Sequence, residues 1–246
     1  DDLLPSIVNN YKRYYYTQLD NNQFRAKQYV DAFINHKDWK QEVDKLNRIS
    51  KLTKAEIVKF ANQFFRNDFA CVYKEQGNDT TIKKVEKPTI TPIPTNNDKQ
   101  SDFLKEIVNT KTTPIQPQFV DYNRDLTKAT TQKGLPVLYK QDKTNDLFTL
   151  CFVVPYGDEH NPMLSYAAGY LDYLGTNKLS NEQIKQQFYK LACDYNFSER
   201  NEVSYITLSG LNSNLPQALA LLNNLLSNAK VDKEAYDLYV EQILKS

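Results

Sequence analysis

The stretch Leu147-Phe-Thr-Leu-Cys-Phe-Val-Val154 is among the longest apolar segments of the chain. Its length and its content of Val, Phe and Thr are typical of a β-strand. Apolar side chains at nearly every position predict burial on both faces of that strand. The segment is far shorter than the roughly 18 residues of a membrane-spanning helix. The surrounding sequence is therefore expected to form a folded domain that is built on a sheet.

The sequence on both sides of this strand predicts a hairpin before it, then helices and further strands after it. Ser180-Asn-Glu-Gln183 is a capping box, which predicts a helix that turns Ile184, Phe188 and Leu191 inward. The predicted elements are hairpin strands at 126–130 and 135–139, the strand at 147–154, helices at 163–174 and from 181, antiparallel strands at 194–200 and 202–208, and helices that begin near Asn214 and Asp232. The helix near Asn214 is expected to bury Leu215, Leu219, Leu222 and Leu226. Residues 126–246 are thus predicted to be an α+β domain, with helices packed on a mainly antiparallel sheet.

The chain before residue 126 predicts helices, then one strand, then a proline-rich segment. Apolar residues recur at helical spacing over about the first quarter of the chain, where Thr53-Lys-Ala-Glu56 is a second capping box. Phe69-Ala-Cys-Val-Tyr73 predicts a short buried strand. Prolines crowd residues 77–125 and remove amide donors, so this segment is predicted to be an extended linker with one short helix at 102–108.

The composition excludes several classes of function. The chain has 246 residues and a formal net charge of +1, so it has no overall field to hold nucleic acid or a lipid surface. The glycine patterns that cradle nucleotide phosphates are missing, and the two histidines, His36 and His160, are too far apart for a local zinc motif. Three cysteines lie in apolar surroundings and are expected to be buried thiols: Cys71, Cys151 and Cys193.

The second half of the chain contains an ordered set of landmarks. They are the apolar helix at 163–174, Leu174-Gly-Thr176, the capped Ser180-Asn-Glu-Gln183 and Leu191-Ala-Cys193, followed by two strands and a leucine-rich helix. Together they resemble the repeated domain of the pitrilysin/insulinase family of zinc metallopeptidases. In active members the helix before Gly-Thr carries H-x-x-E-H, which supplies two zinc ligands and a general base. The corresponding residues here are Tyr166, Gly169 and Tyr170.

This departure from the motif determines what the resemblance implies for chemistry. Phenol is a poor zinc ligand at neutral pH because its pKa is near 10, and glycine has no side chain to activate a water molecule. The resemblance therefore implies no catalytic, cofactor-binding or metal-binding residue in this chain. Zinc is implied only for the longer protein of which this chain would be a part.

The resemblance also implies an arrangement of domains. Family members are long chains of two homologous halves, of which only the amino-terminal half keeps the zinc motif. Residues 1–76 would be the helical end and last strand of the first half, residues 77–125 the connector, and residues 126–246 the truncated start of the zinc-free second half.

The implied function is that of a non-catalytic fragment of a zinc metalloendopeptidase, which serves as chamber wall, hinge and peptide contact. Its implied partners are a peptide or unfolded protein substrate and the catalytic half of the same protein, with no nucleic acid and no membrane span. The alternative is a structural or assembly subunit of the same fold without peptidase activity. The hairpin strands at 126–130 and 135–139 are the expected peptide-binding edges, because Pro136 is tolerated on an edge. The compartment stays open, with the bacterial periplasm or the extracellular space compatible with such a protein.

Overall fold

The computed structural model describes residues 3–78, 81, 83 and 85–245. Its helices are α1 (Leu4–Leu19), α2 (Asn22–Ile34), α3 (Trp39–Val43), α4 (Lys45–Ile49), α5 (Lys54–Phe64), α6 (Asp102–Asn109), α7 (Leu164–Leu171), α8 (Asn181–Lys190), α9 (Leu215–Asn228) and α10 (Lys233–Lys245). Its strands are β1 (Thr127–Thr130), β2 (Pro136–Tyr139), β3 (Leu147–Val154), β4 (Gly175–Thr176), β5 (Cys193–Arg200), β6 (Val203–Leu211) and β7 (Ala229–Lys230). Within these described residues, no helix combines the length and the apolar character that crossing a bilayer requires.

The main sheet has three antiparallel strands in the order β3-β6-β5. Strands β5 and β6 form a hairpin in which Arg200 pairs with Val203 at the turn and Cys193 pairs with Gly210 at the far end. Helices α8 and α9 pack on this sheet around one core. The buried members of that core are Ile184, Phe188, Cys193, Leu208, Ala218, Leu221, Leu222 and Leu225. Helices on an antiparallel sheet confirm the predicted α+β fold class.

Both predicted capping boxes form. At the start of α8, the Ser180 amide donates to Gln183 Oε1 over 2.9 Å, and the Gln183 amide donates to Ser180 Oγ over 3.2 Å. At the start of α5, the Thr53 amide donates to Glu56 Oε2 over 2.8 Å, and the Glu56 amide donates to Thr53 Oγ1 over 3.3 Å. The two helices differ in packing, because α8 buries two of its apolar side chains and α5 buries none.

The buried face of α9 differs from the predicted one. The side chains of Leu219 and Leu226 were expected inward but are 36% and 42% exposed. The buried residues of the helix are Ala218, Leu221, Leu222 and Leu225. The leucines of α9 cover one broad face of the helix, which is wider than the surface that the core can bury. Periodicity alone does not show which part of this face is covered, and packing against α8 and the sheet leaves Leu219 and Leu226 at its exposed margin.

Helix α1 packs on the sheet-containing part of the chain. The Asn10 side-chain amide donates to the carbonyl oxygen of Tyr189 in α8 over 2.7 Å. The Arg13 guanidinium forms an ion pair with Asp194 near the start of β5. These polar contacts join the amino-terminal helices to the sheet.

The contacts within the structure divide the chain at other positions than the predicted domain boundaries, which were placed at residues 76 and 126. The described residues up to Arg66 cluster with those from Gln141 onward, and Asn67–Lys140 form a second unit. Helices that were expected to belong to a preceding domain thus pack with the sheet. The assignment of the two segments to successive halves of a longer protein stays a prediction.

In the unit Asn67–Lys140, the described residues form α6, the β1–β2 hairpin and otherwise irregular backbone. The predicted short helix and hairpin are both present, with pairing from Thr127 opposite Tyr139 to Thr130 opposite Pro136. The predicted buried strand at 69–73 is wrong, because these residues have irregular backbone and the Val72 side chain is 91% exposed. A short apolar run forms a strand only where a neighbouring strand pairs with it, and the described residues provide none there.

Strand β3 has the predicted bounds but not the predicted burial. It pairs with β6 on one side only, and the side chain of Val153 is 63% exposed. Cys151 in this strand is also exposed, as is Cys71, so that only Cys193 fulfils the expectation of a buried thiol. An edge position leaves half of an apolar strand uncovered, which the composition of the strand itself does not reveal.

Candidate functional site

The three residues at the zinc-motif positions lie on α7. Tyr166 and Tyr170 are separated by one helical turn, with Gly169 beside them. The side chain of Tyr166 is 47% exposed, whereas Tyr170 is half-buried against α10. The site is therefore a contact between two helices, with one tyrosine at its open end.

The phenol of Tyr170 is held at the start of α10. Its Oη donates to the carbonyl oxygen of Asp232 over 2.5 Å and accepts the Asp232 amide over 3.1 Å. Its ring meets Tyr236 edge-on with centroids 5.5 Å apart, and stacks with Tyr239 at 6.2 Å. Since both the donor and an acceptor function of this hydroxyl are used by the backbone, Tyr170 fixes the junction of α7 and α10.

Gly169 allows α10 to approach α7 closely. A side-chain carbon at this position would overlap the hydroxyl of Tyr239 and lie 3.0 Å from its ring. Burial raises the pKa of the Tyr239 phenol above its usual value, and the neighbouring Tyr173 and Tyr166 add to this effect. The group is therefore a neutral phenol at physiological pH, packed over a glycine.

The site does not fit the zinc ion that the resemblance implies for active family members. A glutamate at position 169 has no room beside Tyr239, and the hydroxyl of Tyr170 is already bonded to Asp232. In the part of the chain that the structure describes, no three His, Cys, Asp or Glu side chains group as metal ligands. That the isolated chain binds no zinc stays a prediction, which metal analysis can test.

A cleft of about 330 Å³ lies along another side of α7, against the sheet. The small side chains of Ala167 and Ala168 leave this space, and among the described residues of its lining Glu199 alone carries a carboxylate. Ser204 also lines the cleft, but its hydroxyl donates to the carbonyl oxygen of Tyr156 over 2.6 Å, and the described lining residues include no histidine to act as its base. This lining suits an apolar side chain and has no pair of residues for hydrolysis.

The sheet also has a free edge at β3. Strand β3 ends the order β3-β6-β5, and it contains no proline and no charged residue. The opposite edge strand, β5, carries Asp194, Glu199 and Arg200. Charged side chains discourage pairing with another strand, so β3 is the less protected edge of the two.

The two edge strands that the sequence predicted are also exposed. Strands β1 and β2 form a separate two-stranded sheet, and every residue of both strands is exposed. The β3 edge was missed, because an unbroken apolar run is typical of a central strand. The tyrosines of α10 that pack on α7 were missed as well, although Tyr236 and Tyr239 have the same helical spacing as Tyr170 and Tyr173.

No protein-family model and no curated protein matches the chain. Among solved structures, it is similar to a peptidase M16 inactive domain from Pseudomonas fluorescens, with 17% sequence identity and a TM-score of 0.44 over 49% of this chain and 31% of that one. It is also similar to the periplasmic protease PqqL from Escherichia coli, with 14% identity and a TM-score of 0.44 over 82% of this chain and 20% of that one. A third similar structure is the ferredoxin protease FusC in complex with Arabidopsis ferredoxin, with 8% identity and a TM-score of 0.43 over 89% of this chain and 27% of that one. The chain spans less than a third of each of these structures, and at these scores none of them assigns a family or an activity to it.

Proposed function

We propose that this chain is a non-catalytic part of a zinc metalloendopeptidase of the pitrilysin/insulinase type. The observation that carries the proposal is the packing of α7 at the position of the zinc motif. There Gly169 lies under the Tyr239 hydroxyl and the Tyr170 hydroxyl is bonded to Asp232, so both positions serve the contact with α10. Zinc and the general base would belong to the other half of the longer protein.

The role that we propose for this part is to hold an extended peptide or unfolded protein segment next to the catalytic half. The free edge of β3 supports this role, because an extended chain can add to a sheet edge through backbone hydrogen bonds. Backbone recognition gives affinity with little dependence on the side chains of the bound segment. The apolar cleft beside α7 would accept one side chain of such a segment.

A binding experiment on this chain tests the peptide contact. A fluorescently labelled peptide of alternating valine and threonine is expected to bind weakly, since the opposing half is missing. The same peptide with N-methyl groups on alternate amides should bind far less, because it has lost backbone donors. Val153→Lys in β3 should weaken binding, whereas Val58→Lys on the exposed face of α5 should not. Equal binding of the methylated peptide would contradict recognition at a sheet edge.

The same two variants test the function in the longer protein. Val153→Lys is expected to slow peptide cleavage and to leave the zinc content unchanged, and Val58→Lys is expected to change neither. Unchanged cleavage with Val153→Lys would show that this edge does not contact the substrate. A longer protein that holds no zinc and cleaves no peptide would instead favour the structural or assembly subunit.

A further inference from the structure

The amino-terminal helices enclose a second cleft, away from α7 and the sheet. It lies between α1, α2, α3 and α4 and has a volume of about 410 Å³. Volumes of roughly 300–1,000 Å³ are typical of small-ligand sites. All of its lining residues come from one compact unit.

Aromatic side chains form much of the lining of this cleft. They are Tyr15, Tyr16, Tyr29 and Trp39. The rings of Tyr29 and Trp39 stack with centroids 4.4 Å apart, and their side chains remain 60% and 41% exposed. Exposed aromatic surface at a cleft offers contact to another planar apolar group, in offset or edge-to-face geometry.

The lining also contains two residues of opposite charge and two amides, beside the apolar Leu19, Val43 and Leu46. The Arg25 guanidinium is held in place by donating to the carbonyl oxygen of Leu19 over 2.8 Å. Glu42 lies 3.6 Å from the Lys37 ammonium, with its side chain only 21% exposed. Gln28 and Asn47 add amide donors and acceptors. In the described lining, Arg25 is the cation and Glu42, which is paired with Lys37, is the anion. Together with the two amides they suit a ligand that carries peptide-like polar groups or an amino acid's two charges.

We propose that this cleft binds an aromatic amino-acid residue. The ring would lie against Tyr29 and Trp39, and the polar groups of the residue would face Arg25 and Glu42. A free amino acid and a residue within a peptide share this chemistry. The proposal does not depend on the proposed function, because none of the residues that line the cleft belongs to α7 or to β3.

Trp39 is the only tryptophan of the chain, so its fluorescence reports directly on the cleft. Titration with N-acetyl-phenylalanine amide should change this fluorescence in a saturable way. N-acetyl-cyclohexylalanine amide has a similar apolar volume without the aromatic ring, and should bind about 2- to 12-fold more weakly if aromatic contacts select the ligand. Tighter binding of free phenylalanine, weakened by Glu42→Gln, would identify the free amino acid, and the reverse order would identify a peptide residue.

Variants of the intact chain separate the cleft from other aromatic surfaces. Ligand-observed NMR, which does not rely on Trp39, should show weaker binding with Tyr29→Leu and unchanged binding with Tyr14→Leu, since Tyr14 is exposed on α1 and does not line the cleft. Val43→Phe places extra volume at a lining residue that is 65% exposed, so it should block binding without disturbing packing, even if Tyr29→Leu fails to fold. Equal binding of the cyclohexyl compound, binding that survives Val43→Phe, or no saturable binding would overturn the proposal.

Discussion

The residues from Gln141 onward and the unit Asn67–Lys140 have similar local sequence patterns, but they differ in how far their side chains are buried. In their described residues, both contain a strand rich in apolar side chains and an amphipathic helix. In the first region, Leu208 and Leu222 are 0% and 1% exposed. In the second, α6 buries no residue and every residue of the β1–β2 hairpin is exposed.

The difference shows that local sequence determines the type of an element and not what covers it. A capped helix or a hairpin follows from side chains a few residues apart. Burial needs a second layer, which α8 and α9 supply to the β5–β6 hairpin. In the described residues of Asn67–Lys140, α6 and the two-stranded sheet supply no such layer.

The largest expected effect is on a matched pair of core and surface leucines. Leu222→Ala should lower the free energy of unfolding by about 2–5 kcal/mol, because it removes buried contacts and leaves a cavity. Leu138→Ala in β2, where the side chain is 59% exposed, should change it by less than about 0.5 kcal/mol. Chemical denaturation of both variants measures the difference. Similar losses would mean that β2 is covered in solution.

Much of the fold could be predicted from sequence because the determining interactions are local. The capping boxes at Thr53 and Ser180 both form as their residue types require. Features that are set by contacts between distant residues could not be predicted in this way. The edge position of β3, the face of α9 and the packing of α1 on α8 each depend on residues far apart in the chain.

The candidate site also combines features that local sequence predicts with features that depend on distant residues. The positions of Tyr166, Gly169 and Tyr170 on one helix follow from local periodicity. Their contact with Tyr239 does not, since 70 residues separate Gly169 from Tyr239 and no local pattern links them. The close approach at Gly169 becomes visible only when α10 is placed beside α7.

The next largest effect tests that long-range contact. Gly169→Ala should destabilise the protein by about 1–3 kcal/mol, because the new methyl group overlaps the Tyr239 hydroxyl and outweighs the gain in helix propensity. Tyr239→Phe removes that hydroxyl, so the double variant should lose less than the sum of the single variants. Additive losses in thermal or chemical unfolding would mean that α10 does not pack on Gly169.

Limited proteolysis compares the two regions in kinetic terms. Trypsin is expected to cut first in the proline-rich segment, at Lys83, Lys84, Lys87, Lys99 or Lys111, because prolines remove amide donors there and the described part of the segment contains only one short helix. Sites in α8 and β5 should be cut later, since opening them exposes the core. Early fragments with ends inside α8 or β5 would reverse the comparison.

A smaller effect separates a cap on a buried helix from a cap on an exposed one. Ser180→Ala should cost about 1 kcal/mol of global stability, because α8 belongs to the core. Thr53→Ala removes the same kind of bond, yet α5 buries no residue, so its effect should be mainly faster amide exchange within α5. Equal global losses would indicate that α5 is packed in solution as tightly as α8.

The smallest effect is a pH dependence that only one of the two capping boxes can have. The backbone amide and the hydroxyl of Thr53 both donate to the Glu56 carboxylate. These hydrogen bonds, of which the one from the amide has the larger effect, lower the pKa of Glu56 below its ordinary value. Because the pKa is lowered in the folded state, the ionised Glu56 carboxylate stabilises the fold fully above the ordinary glutamate pKa. This contribution is lost as the pH falls through the lowered pKa. Gln183 occupies the same position in the box at Ser180 and does not ionise. In an NMR titration into acid, the Thr53 amide resonance should therefore shift with the protonation of Glu56 while the Ser180 amide stays constant, and Glu56→Gln should abolish the shift. A constant Thr53 resonance, or an equal shift at Ser180, would show that the carboxylate does not hold this cap.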